Sequence, residues 1–344
     1  MTSLHSTRGA NFWSRRPVTR LDIVVGAYEY VSSADAPGFA ELLVSAMPGL
    51  EEHRCSIGER GGFITRLERG TYAAHIIEHV ALELQNMIGH DVGFGRTRGG
   101  DVEGEYTIVF EHIHEAVGLR AAALALELVQ RAFAGTLRPV DYAITELYAL
   151  AETPDGPPLR QRVLCGITGG SERAETRDEI VRRGFGNGEP IVDVSPAYIL
   201  RAGLPYSRSD IAIVLDAVLT DVPDRYREEE RARRLVATAA DAVDRGGIVI
   251  VPAKEWEIQD MVREGGCRVA IFAPDADITR RDKRVARAAA HCEAGRIVIE
   301  TRAGMTDAGA LRDDAPPGAQ AAAALAAFTL HELQPHLAVA APAR

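Results

Sequence analysis

The rhythm of hydrophobic and polar positions changes near residue 150. Before it, "LDIVVGAYEYV" and "EYTIVFEHIHE" are rich in Val, Ile and Tyr and partly alternate, as strands do. "APGFAELLVSAM", "GTYAAHIIEHVALELQNMIGHD" and "AVGLRAAALALELVQRAFAG" instead carry apolar residues at helical spacing. A mixed α+β domain is therefore expected over residues 1–150. "AETPDGPPLRQR", residues 151–162, then brings Pro154, Gly156, Pro157 and Pro158, which forbid a continuous helix or central strand and predict a linker.

Beyond the linker the apolar runs become short and nearly unbroken. "RVLCGITGG", "SDIAIVLDAV", "GGIVIVPA", "CRVAIFAPD" and "GRIVIE" read as strands buried on both faces of a parallel sheet. "EEERARRLVATAADAVDRG" and "ITRRDKRVARAAAHCEAG" read as the helices between them, and "GAQAAAALAAFTLHEL" as an Ala-rich terminal helix. Residues 163–335 are thus expected to form a doubly wound, mostly parallel α/β domain.

Composition narrows the function classes. The chain has 344 residues, 46% hydrophobic and 26% charged, with a net charge of −10. That balance argues against nucleic acid as the main partner, because phosphate binding needs a concentrated basic face. Basic clusters such as "EEERARRL" mix both signs and read as solvated helix faces. Cys55, Cys165, Cys267 and Cys292 form no CxxC pair, which suits a reducing compartment. The N-terminal residues lack a signal-peptide core, and no apolar run is long enough to span a membrane, so a cytoplasmic location is expected.

The densest chemistry lies in "HIIEHVALELQ", residues 75–85. On a helix His75, Glu78, His79 and Glu83 fall within a wedge of about 140°, with Ile77, Val80, Ala81, Leu84 and Ile88 opposite. Two histidines at i and i+4 can hold one zinc ion, with a carboxylate as third ligand. Glu83 is the expected third ligand, and His53 and Cys55 are its rivals. His-x-x-Glu-His is also the order of the inverzincin peptidases, which makes Glu78 the candidate general base. With the apolar residues already supplying the core, the four polar side chains are expected on a solvent-facing side; the bland alternative is an ordinary wet helix face. Arg96 and Arg98 in "GFGRTR" are candidate carboxylate-binding residues, or else solvated arginines on a turn. His112 and His114 share a strand face and are a weaker candidate pair. Phe12 and Trp13 read as core anchors, and Gly61 and Gly62 as a tight turn.

Four stretches carry a family resemblance: "GANFWS" (9–14), "PGLEEHRCSIGERGGFITRLERGT" (48–71), "HIIEHVALELQ" and "GFGRTR" (93–98). Together they resemble the N-terminal domain of the cyanophycin synthetases. In that family an ATP-grasp domain and a Mur-ligase-like domain follow, and the three build a poly-aspartate backbone bearing arginine. Here no ATP-grasp domain intervenes, and the second region resembles, more weakly, the central domain of Mur ligases.

On that resemblance "VLCGITGGSERAET" lines up with the family's phosphate loop. Gly166 and Gly169 keep the spacing, but Glu172, Arg173 and Ala174 replace its last glycine, its lysine and its threonine. Glu172 places a carboxylate where phosphate belongs, and Ala174 cannot hold Mg²⁺. Asp216, Thr220 and Asp221 stand where the family has asparagine and an aspartate–histidine pair, and Asp193 near a metal-binding glutamate. The resemblance therefore implies a pseudo-ligase without ATP chemistry. It also implies a metal-dependent peptidase or amidase in the first domain, acting on cyanophycin or a related aspartyl-arginyl peptide. The alternatives are a non-catalytic polymer-binding protein, or a partner of a full-length synthetase, and last a residual ligase. A homo-oligomer is expected by the same analogy.

Overall fold

The computed structural model describes residues 1–337 apart from 156–158, 187, 189 and 280–285. Two compact units emerge: Met1–Arg8 with Trp13–Pro158, and Gly9–Phe12 with Leu159–Arg344. Gly156, Pro157 and Pro158 of the expected linker lie outside the described residues. The segment Gly9–Phe12 groups with the second unit, where the Phe12 ring meets Tyr226 edge-on at 5.7 Å.

The first unit is built on an antiparallel sheet of β1 (Ser3–Thr7), β2 (Val18–Val24), β3 (Gly95–Gly99) and β4 (Glu105–Glu111), in the order β1-β2-β4-β3. Its helices are α1 (Phe39–Ala46), α2 (Gly62–Arg69), α3 (Ala73–Met87), α4 (Glu115–Phe133) and α5 (Asp141–Ala151). Leu21, Ile23, Ile108 and Phe110 line one sheet face by strand alternation and share a core with Ile77, Val80 and Leu84 of α3 and Leu124 and Leu128 of α4. "GFGRTR" is not a turn: residues 95–99 form the edge strand β3, paired to β4 with Arg96 opposite Val109. Gly61 holds a left-handed φ of 78° just before α2, and Gly62 sits so close to the Arg54 carbonyl that no Cβ would fit. This tight entry to α2 draws the Cys55 turn in against it.

The second unit is one sheet of eight strands among the described residues: β5 (Arg160–Thr168), β6 (Ile191–Asp193), β7 (Tyr206–Val214), β8 (Val243–Pro252), β9 (Arg268–Phe272), β10 (Ala288–Glu293), β11 (Arg296–Thr301) and β12 (Gly304–Ala310). Their order is β12-β11-β10-β9-β8-β7-β5-β6, parallel from β6 through β10 and antiparallel beyond. The helices are α6 (Arg173–Arg182), α7 (Pro196–Ala202), α8 (Glu229–Ala237), α9 (Trp256–Glu264) and α10 (Pro317–Leu337). The mostly parallel α/β reading holds.

Two expected helices change. Residues 288–293 of "ITRRDKRVARAAAHCEAG" form strand β10 rather than helix, and residues 280–285 lie outside the described residues. Alanine favours helix locally, but Ala288, Ala290 and Cys292 pack in one core with the Ala-rich α10, and that burial overrides propensity. The run "EEERARRLVATAADAVDRG" stops as a helix at Ala237, turns through Thr238–Ala242, and enters β8 at Val243. No helix among the described residues is long and apolar enough to cross a membrane.

Candidate functional site

Helix α3 forms because "AAHIIEHVALELQNM" has helical spacing and no Pro or Gly in its interior. The expectation of a solvent-facing polar side is corrected by its surroundings. Glu78, His79 and Glu83 are only 6%, 5% and 4% exposed. Two 3-10 turns, Pro48–Glu52 and Cys55–Ile57, together with α2, cover one flank, and β3 packs against the helix as well. Buried polar groups at these levels require partners or a ligand.

The partners are specific. Glu83 accepts a hydrogen bond from His53 Nε2 at 3.1 Å, and His53 Nδ1 lies 2.9 Å from His79 Nδ1. With the proton on His53 Nε2 bound to the carboxylate, His53 Nδ1 accepts and His79 Nδ1 donates. His79 Nε2 is thereby left as a bare lone pair, and it is buried without a hydrogen-bond partner among the described residues. Phe63 stacks on the His79 ring at 4.0 Å and holds its plane. His75 Nδ1 lies 2.8 Å from the Thr71 hydroxyl, and its Nε2 lies 3.3 Å from Cys55 Sγ. One ligand-capable atom from each of Cys55, His75 and His79 lies within 4.8 Å of the others.

This donor set suits a metal. A thiol and two imidazoles are zinc ligands, a three-ligand site leaves a position open, and the orphaned His79 nitrogen lacks any other partner. The Glu83–His53–His79 chain is the outer support that fixes which ring nitrogen is free. Glu83, the expected third ligand, is thus engaged by His53, and Cys55 stands with the two histidines in its place. Cys55 reaches them from a left-handed turn, at φ 52°, a conformation rare for a residue with a Cβ.

Glu78 lies beside the edge strand. Its carboxylate accepts from Thr97 Oγ1 at 2.5 Å, and Gly95 is small enough to let it pass. Burial raises its pKa to about 7, against the opposing pull of that hydrogen bond and of the Arg96 charge. Burial first, and then the neighbouring Arg66 charge, lowers His75 to about 4, and burial holds His79 well below the ordinary histidine value. Both rings are therefore neutral near pH 7, the state in which imidazole binds a metal. His75, Glu78 and His79 share with Cys55, Tyr72, Arg96 and Tyr106 the walls of a cleft of about 860 Å³. Arg98 is exposed and does not line it.

The remaining sequence candidates separate cleanly. His112 is a core histidine, with Nδ1 3.0 Å from Thr19 Oγ1 and Nε2 3.4 Å from Ser6 Oγ. His114 Nε2 donates to the Thr153 carbonyl at 2.9 Å instead of joining it. In the second unit the loop between β5 and α6 is filled from within. Asp216 accepts from the Gly170 amide at 2.8 Å, from the Ser171 amide at 3.1 Å and from the Ser171 hydroxyl at 2.8 Å. Gly166 and Gly169 lead into it, and Arg173 turns back to donate to the Gly169 carbonyl. Glu172, at φ 55°, accepts from the Ala319 amide in the first turn of α10, while Ala174 offers no oxygen. Asp193 pairs with Arg177 at 2.7 Å.

Sequence reasoning missed Thr71, Thr97 and Phe63. The first two are ordinary hydroxyl residues whose roles arise only from packing against α3. Phe63 carried a weak signal as the apolar residue that follows the Gly61–Gly62 turn.

Comparison with known proteins adds to this geometry. The family model of the cyanophycin synthase-like N-terminal domain matches residues 20–134. The cyanophycin synthetase of Synechocystis sp. is 45% identical over 144 residues, which are 41% of this chain and 16% of that protein. The cyanophycin synthetase of Crocosphaera subtropica is 47% identical over 125 residues, 35% of this chain and 14% of that protein. The matched stretch thus spans about a sixth or less of these relatives. Among solved structures, MurF from Acinetobacter baumannii gives a TM-score of 0.33 at 14% identity, covering 50% of this chain and 43% of that one. MurF ligase from Thermotoga maritima in complex with ADP gives 0.33 at 12%, covering 52% and 46%. Likeness at that level says nothing of the second unit's chemistry. Over residues 20–134, which contain every residue of the α3 cleft, the chain is similar to the cyanophycin synthase-like N-terminal domain.

Proposed function

We propose that the first unit is a metal-dependent peptidase or amidase acting on cyanophycin or a related aspartyl-arginyl peptide. The observation that carries this reading is the buried, unpartnered Nε2 of His79, converging with His75 and Cys55 in a cleft that also holds Glu78. Cys55, His75 and His79 would hold the metal, zinc by donor type. A bound zinc ion would supply Lewis-acid polarisation of the amide carbonyl.

The chain's own groups supply the rest. Glu78 takes a proton from the attacking water as the new C–O bond forms, and returns it to the leaving nitrogen as the C–N bond breaks. Thr97 orients the Glu78 carboxylate, and Arg96, within the electrostatic reach of Glu78, offers a guanidinium to a substrate carboxylate. Glu83, through His53, keeps His79 in the ligating tautomer.

The second unit is, in this proposal, a pseudo-ligase scaffold. Asp216 occupies loop amides that a nucleotide phosphate would need, and Glu172 and Asp216 add negative charge beside them. Incubation of the purified chain with cyanophycin and zinc, with elemental analysis and mass analysis of soluble fragments, tests the function. Bound zinc and released aspartyl-arginine fragments are expected. Absence of both would overturn the hydrolase and leave a non-catalytic polymer-binding protein.

A further inference from the structure

The walls of the α3 cleft carry two more arginines, Arg54 and Arg66, besides Arg96. Arg54 lies in the turn before Cys55, and Arg66 in the last turn of α2. Both are exposed, and among the described residues the guanidinium of neither enters an ion pair. Glu52, the acidic residue at the same rim, is already taken by Arg60. Arg66 and Arg96 line this cleft together with His75 and Glu78.

We infer that Arg66, which lines the same cleft as Arg54, Cys55, His75 and Arg96, is a specificity-determining residue for a substrate carboxylate. This rests on the hydrolase reading for what the cleft does, and adds what it selects: a peptide carrying a free carboxylate near the amide to be cut. A guanidinium on the cleft wall without an ion-pair partner among the described residues matches a carboxylate bidentately, which a neutral carboxamide of the same shape cannot reproduce. A peptide of aspartates bearing arginine through its α-amine offers such a carboxylate at every residue.

The test compares two synthetic peptides of three aspartyl-arginine units, one with free arginyl carboxylates and one with all of them converted to carboxamides. Calorimetry on the whole chain, with zinc, measures their affinity, and fragment release is followed in parallel. The carboxylate peptide should bind about 10- to 100-fold more tightly, a span expected of one charge-assisted bidentate contact. Arg66→Met should remove most of that preference, leave the affinity for the carboxamide peptide unchanged and leave zinc content unchanged. Arg66→Lys should restore part of the preference. Equal affinity of the wild-type chain for both peptides, or a preference that survives Arg66→Met, would overturn the inference even where hydrolysis is seen. A preference without any fragment release would sink the hydrolase alone.

Discussion

His79 Nε2 in the first unit is buried without a partner, whereas the Gly170 and Ser171 amides in the second are both occupied by Asp216. Each place gathers polar atoms beside a helix. The difference lies in what the fold leaves unsatisfied. In the α3 cleft the Glu83–His53–His79 chain consumes one ring nitrogen and leaves the other bare, near Cys55 and His75, whose side chains can ligate a metal. In the β5–α6 loop the Asp216 carboxylate takes those amides and the Ser171 hydroxyl, and Arg173 donates to the Gly169 carbonyl. An orphaned donor set is a site awaiting a ligand; a saturated one is a finished piece of structure.

The sharpest way to break this contrast is chemical. Glu78→Gln should lower fragment release by about 10²- to 10⁴-fold while zinc content stays level, since an amide cannot take the water's proton. Cys55→Ser should lose zinc and activity together. Elemental analysis beside the cleavage assay reads both, and zinc loss in Glu78→Gln would show that this carboxylate is a ligand and not a base.

His112 supplies the control of a buried histidine that is already satisfied. Burial, against the opposing pull of the Asp155 charge and with smaller help from His114 and Arg8, lowers its pKa from 6.5 to about 4. The folded state therefore takes up that proton later than the unfolded chain. Its contribution is complete above pH 6.5 and is lost as pH falls from 6.5 through about 4, by about 3 kcal/mol in total. Denaturant titrations of the wild-type chain and of His112→Leu across that window should show a steeper slope in the former, because His75 and His79 contribute a slope to both. Equal slopes would mean that the ring is not held neutral.

A smaller effect is expected in the second unit. Asp216→Ala removes the acceptor of four contacts, from the Gly170, Ser171 and Val218 amides and the Ser171 hydroxyl, and should destabilise that unit by about 2 kcal/mol, read as a lower thermal midpoint. Smaller still is the combined reversion Glu172→Gly, Arg173→Lys and Ala174→Thr. With Asp216 in place, Mg·ATP affinity should stay in the millimolar range or weaker. Micromolar binding by calorimetry would show that the loop is not closed by its own carboxylate, and the comparison between the two regions would fail.

Much of the architecture was legible because it follows from local rhythm. Apolar runs marked β5, β7, β8 and β9, and helical spacing marked α1, α3 and α4. Residues 288–293 were not legible, because alanine reads as helix until the packing partner α10 is known. The edge strand β3 was hidden for a related reason: Gly95, Arg96 and Arg98 have little strand preference, and only pairing with β4 holds them extended.

The sequence by itself determined that His75, Glu78, His79 and Glu83 share one side of a helix, since helical geometry requires it. It also determined that the stretch after β5 carries Glu172, Arg173 and Ala174, and so offers no glycine, lysine or hydroxyl at those three positions. Only the tertiary structure decided which of the four helix residues face a common point. That choice depended on a cysteine 20 positions upstream, on a histidine that engages Glu83, and on turns that bury a side expected to be wet. Spacing sets which side chains leave the helix together; burial and hydrogen-bond partners, which no local pattern encodes, set which of their atoms remain free.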